Sequence, residues 1–141
     1  MSIPTHLKHQ PVYVVENYDQ IDGPYAGNSD AKGLSIGVAQ WGPDASAKIW
    51  RKPDDRWSRQ SEELPLHRVL DLTILICAVK AEFDGKKITN LPNGFKIESA
   101  LGNQQLHQHQ DFLAHKFADL DPKLKERLKI IAEIIKDLDI N

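Results

Sequence analysis

Residues 34–51 read LSIGVAQWGPDASAKIWR, and the alternation in this stretch decides the architecture. Leu34, Ile36 and Val38 alternate with Ser35, Gly37 and Ala39 before the run reaches Trp41, the period-two pattern of a half-buried strand. One face is large and apolar. The other is unusually small, and a face of Ser, Gly and Ala lets a helix or a ligand approach the sheet closely. After the turn residues Gly42, Pro43 and Asp44, alternation resumes over Ala47 to Arg51 as a further strand. Upstream, Val12 to Val15 form a β-branched and aromatic run suited to a pleated surface. Between these strands Asn17 to Gly33 is rich in Gly, Asp, Asn and Ser, which is loop chemistry. Downstream, Lys52-Pro53-Asp54-Asp55 predicts a type I turn, with a brief fourth strand around Arg56 to Ser58 completing a hairpin.

Beyond this β-rich part the period changes. Leu66 to Phe83 carries Leu66, Val69, Leu70, Leu72, Ile74, Leu75, Ile76 and Val79 behind Pro65, a residue that a helix start tolerates. The run is shorter than the ~20 residues of a membrane span and contains Asp71, so it reads as a core helix. Turn signals at 84–87 and 91–94 flank short extended pieces at Lys87 to Thr89 and Phe95 to Ile97, a small hairpin or an irregular loop. A second helix is expected over Leu101 to Ala118. Asp121 and Pro122 form the cap and first position of a third, in which Leu124, Leu128, Ile131, Ile135 and Leu138 keep to one side. Ile130 and Ile134 widen that stripe to nearly 200° at ~100° per residue, more than one packing partner covers. Two readings follow: a homodimer through this last helix covers the remainder, or the central helix and the sheet cover both of its sides within one chain. The predicted fold class is α+β, a small antiparallel N-terminal sheet packed on a central helix and followed by two C-terminal helices.

The 141 residues and 16.0 kDa predict one globular domain, 1–141. Eighteen basic against twenty acidic residues give a net charge of -2, which argues against sequence-independent nucleic-acid binding. A single cysteine, Cys77, cannot form an internal disulfide, and MSIPTHLKHQ lacks the layout of a secretory signal. A cytoplasmic location is the default expectation.

Candidate chemistry concentrates between Trp50 and Asp71. His67 and Asp71 stand four apart on the predicted helix, the spacing at which a carboxylate can orient an imidazole as a general base, with Glu62 or Glu63 as acid. Arg51, Arg59 and Arg68 favour an anionic group, and Trp57 offers an apolar contact beside them. Ion-pair networks are commoner than active sites, so the same residues also read as fasteners between hairpin and helix. Ser61 lacks the Gly-rich elbow of a nucleophile. His107, Asp111 and His115 form one helix row on the polar side, and three residues in a row cannot all converge on one ion. No metal and no cofactor is expected. The loop DQIDGPYAGNSDAKG matches neither a calcium loop nor a phosphate loop, but Gly23, Tyr25, Gly27, Asn28 and Asp30 could rim a site over the small-residue strand face.

The blocks VYVVENYDQIDG, LSIGVAQW, SAKIWR and RWSRQSEELPLHRVLDLTILICAV resemble a bacterial family of small proteins defined only as a domain of unknown function. That resemblance implies no activity, cofactor or catalytic residue; it directs attention to Trp50–Asp71. The expected function is a small-molecule binding domain for a polar or anionic ligand at the strand–helix junction. Two alternatives stand beside it: a small hydrolase built on His67 and Asp71, and an interaction protein dimerising through its last helix.

Overall fold

The computed structural model describes residues 2–98 and 109–140. Four strands form one antiparallel sheet in sequential order: β1 (Gln10–Glu16), β2 (Ala31–Val38), β3 (Ala45–Arg51) and β4 (Glu63–Pro65). Among the described residues two α-helices follow, α1 (Leu66–Phe83) and α2 (Gln110–Asp137). The α+β class expected from the change of period is the observed one. The chain divides into two compact units, Met1–Thr73 and Ile74–Asn141.

In the first unit the register sorts side chains cleanly. Tyr13, Ile36, Ala47 and Leu64 lie opposite one another across the sheet, as do Val15, Leu34 and Ile49. Directly opposed residues share a face, so these rows make one apolar surface. The interleaved row Val14, Ser35, Lys48 and Glu63 belongs to the other face. The small-residue side of β2 does receive a close neighbour, namely the chain's own N-terminal segment. A Cβ added at Gly33 would lie 2.6 Å from Ile3 Cδ1, and one at Gly37 would collide with the Gln10 carbonyl. The Ile3 N–H donates to Glu16 Oε1 at 3.1 Å, tying the segment down at its start.

Three boundaries differ from the sequence expectation. The fourth strand is Glu63–Pro65, not Arg56 to Ser58. The chain after β3 makes a wider excursion, in which Ser58 N–H donates to the Arg51 carbonyl and Ile49 N–H to the Glu62 carbonyl. Pro65 is tolerated because β4 is an edge strand and needs no donor on its open side. Of the two readings for Lys87 to Thr89 and Phe95 to Ile97, the small hairpin is not formed and the irregular loop is; Phe95 N–H closes a turn on the Pro92 carbonyl at 2.9 Å.

The third difference concerns the C-terminal helices. Positions 101–108 of the expected second helix lie outside the described residues. From Gln110 the second and third helices are one, and Pro122 sits inside it. A proline within a helix costs about 3 kcal/mol. The half-buried stripe keeps its phase through that point, however, at Phe117, Leu120, Leu124 and Leu128. Asp121, expected as a cap, instead receives Lys80 and Lys125, both at 2.8 Å, and Phe83 packs on Phe117 with ring centroids 5.1 Å apart. The more C-terminal Ile130, Ile131, Ile134, Ile135 and Leu138 are all exposed.

Candidate functional site

The two faces of the sheet carry different chemistry. On the covered face, His9 enters from the N-terminal segment and is 1% exposed; Trp50 is equally enclosed. The Trp50 indole N–H donates to Ser35 Oγ at 2.8 Å, and Ser35 lies 2.9 Å from His9 Nε2. On the other side of the ring, His9 Nδ1 lies 2.9 Å from Ser46 Oγ and 3.1 Å from Glu63 Oε2, and the Ser46 hydroxyl donates to Glu63 Oε2 at 2.7 Å. The Gln40 N–H donates to the same oxygen at 3.1 Å.

Proton accounting fixes the direction of this chain. Ser46 gives its proton to Glu63, so the bond between Ser46 and His9 needs the proton on Nδ1. Ser35 Oγ accepts from Trp50, which leaves its own proton free to be donated to Nε2. Every donor is satisfied and the sequence of bonds ends on one carboxylate. Burial works to raise the Glu63 pKa, but the bonds from Ser46, Gln40 and His9 outweigh it and hold the carboxyl below its ordinary 4.5. Its other oxygen, Oε1, is buried without a hydrogen-bond partner among the described residues.

Ser35, His9 and Glu63 thus have the distances of a nucleophile, a base and an orienting acid. They do not have the access. Ser35 is buried beneath the same N-terminal segment that carries His9, so lifting that segment to admit a substrate would remove the base. The arrangement is a latch: it holds residues 2–9 against the sheet through a polar core in which His9, Ser35, Ser46 and Trp50 are all hydrogen-bonded.

The opposite face is open. Its rows of apolar side chains, with Val69 from the first turn of α1, line a groove of about 440 Å³. That volume falls in the range of small-molecule sites. At its margin Glu62 is held by Arg51, whose Nε donates to Oε1 at 2.7 Å and Nη2 to Oε2 at 2.8 Å, while Nη1 reaches Asp30. The guanidinium between two carboxylates holds the Glu62 carboxyl below its usual range, and its own pKa is raised.

The residues singled out in the sequence are distributed rather than gathered. Glu63 joins His9, not His67. Arg51 is committed to Asp30 and Glu62. Trp57 packs edge-on to Trp50 at 6.0 Å, with Lys52 Nζ 5.2 Å above its ring. Tyr25 is exposed at the end of a short 3-10 turn. Its loop is tied by its own bonds, Ser29 to Asp22 at 2.6 Å and Lys32 to Asp19 at 3.3 Å. Arg59 is exposed in a turn. His67, Arg68 and Asp71 are exposed on α1, and no hydrogen bond or ion pair links them among the described residues. His115 Nδ1 bonds to the Asp111 carbonyl of its own helix at 2.8 Å, and His107 lies outside the described residues.

The members missed by sequence reasoning are His9, Ser35 and Ser46. Ser35 was legible as part of a small strand face, but nothing adjacent to His9 marks it as a core residue. Among the described residues no group of three His, Cys, Asp or Glu side chains is placed to hold a metal, and no helix is long and apolar enough to cross a membrane.

Comparison with the curated proteins gives no match, and comparison with the solved structures gives none. The model of DUF6530, a family of unknown function, matches residues 1–140, and the chain belongs to that family.

Proposed function

We propose that this protein is a non-catalytic, cytosolic binding domain that takes a small, uncharged apolar ligand in the groove on the open face of its sheet. One observation carries the reading: the rows Tyr13–Ile36–Ala47–Leu64 and Val15–Leu34–Ile49 expose an apolar concavity of about 440 Å³ in a protein whose polar face is the buried one. The groove lies at the strand–helix junction, where Glu62, Leu64 and Val69 reach it. The chemistry of the ligand differs from the anionic one suggested by the arginines. Arg51 is already neutralised by two carboxylates, so it offers no free positive charge to an anion, and the Lys48 ammonium lies 4.5 Å over the Trp50 ring of the covered face.

The test uses N-phenyl-1-naphthylamine, an uncharged apolar fluorophore. Saturable enhancement with one probe per chain is expected. Ile36→Asn, at the centre of the groove, should weaken it at least tenfold, while Ile134→Asn on α2 should leave it unchanged. A linear, unsaturable response, or equal binding by the Ile36→Asn chain, would overturn the reading.

A further inference from the structure

The sheet has two edges, and they are not alike. β4 is three residues long and ends on Pro65, a short edge of the kind that discourages further pairing. β1 is seven residues long; Pro11 and a bulge between Pro11 and Tyr13 interrupt its start, and the stretch Val12-Tyr13-Val14-Val15 carries no charge. These four side chains are 63%, 75%, 47% and 45% exposed. One side of β1 is bonded to β2; the other presents a row of backbone donors and acceptors that only another extended strand can satisfy together.

We propose that β1 is the seam of a two-fold dimer, pairing antiparallel with β1 of a second copy to make one continuous eight-stranded sheet. The occupant is argued from the strand itself. Antiparallel self-pairing about an axis perpendicular to the sheet sets a residue opposite its own copy and keeps corresponding faces on the same side. With that axis at Tyr13 or Val14, Glu16 falls opposite Gln10 or Val12, so no carboxylate meets a carboxylate. Glu16 is also occupied by the Ile3 N–H. The groove supports the same geometry: Tyr13, Val14 and Val15 form its margin at this edge, and the copy's Tyr13 and Val15 would continue the same apolar face. The proposal rests on the edge and not on ligand binding.

Sedimentation equilibrium of the full chain is expected to give twice the 16.0 kDa mass at micromolar concentration. Val14→Lys places two ammonium groups across the seam and should yield folded monomers, whereas Ile130→Glu/Ile134→Glu on α2 should remain dimeric. A monomeric parent, a Val14→Lys chain that stays dimeric, or a dimer split only by the α2 substitutions would overturn the proposal. A second measurement does not depend on the lysine variant folding. A nitroxide on Val12→Cys in a Cys77→Ala chain should find its copy within about 20 Å, given strands ~4.8 Å apart and a rise of ~3.3 Å per residue. No dipolar coupling in that range would also overturn it.

Discussion

The two faces of the sheet invert the usual arrangement of a small domain. The face toward the N-terminal segment buries a histidine, two serines and a glutamate around one tryptophan, while the face of Leu34, Ile36 and Ile49 opens into a groove. Buried polar groups are tolerable only when bonded, and here the chain of bonds from Trp50 to Glu63 leaves one carboxylate oxygen without a partner among the described residues. The inversion teaches where stability and function separate. The polar face fixes the N-terminal segment in one position and should respond strongly to substitution. The apolar face is available to a partner and should respond weakly in stability but strongly in binding.

The sharpest test of that contrast is Trp50→Ala. It removes the one large side chain at the centre of the covered face and the donor to Ser35, and should cost about 3–5 kcal/mol in urea denaturation. A loss below about 1 kcal/mol would mean that the covered face is not the core of this unit.

Next in size is Glu63→Gln. A neutral amide cannot accept all three donors that converge on Oε2, so about 1–3 kcal/mol should be lost at neutral pH. The pH dependence has a defined sign. The folded-state pKa of Glu63 is lowered, so its stabilisation is fully present above the ordinary value of 4.5 and disappears as pH falls through the folded value below it. The parent chain should therefore lose its advantage over Glu63→Gln in that acidic window. A gap between the two that stays constant down to pH 2 would refute the carboxylate's role.

The smallest effects should come from the exposed positions. Ile36→Asn is expected to cost under about 1 kcal/mol, because its side chain is already partly in water, although it ablates the groove. His67→Ala should fall within about 0.5 kcal/mol, as is usual for surface sites without partners. A thermal melt showing His67→Ala strongly destabilised would restore it to a structural network.

Much of this architecture was written locally. The alternation of Leu34, Ile36 and Val38 specified a strand with one apolar and one small face, and the run after Pro65 specified α1, because side-chain periodicity follows directly from backbone geometry. The clash of turn and cap signals with the final fold is equally instructive. Asp121-Pro122 is a sound helix start by itself, but a half-buried stripe running through Phe117, Leu120, Leu124 and Leu128 outweighs one missing backbone bond.

The site was not local. His67 and Asp71 have the spacing of a pair yet are exposed with no bond between them, because adjacency on a helix does not supply burial. Glu63 found its imidazole 54 residues away in His9, through strand register. The sequence by itself determined the first three strands, α1 and which strand face is small, since each depends on near neighbours along the chain. Only the tertiary structure decided that the N-terminal segment covers the small face and leaves the apolar one open. That choice depends on which distant polar groups can complete one another's hydrogen bonds, and no local pattern records it.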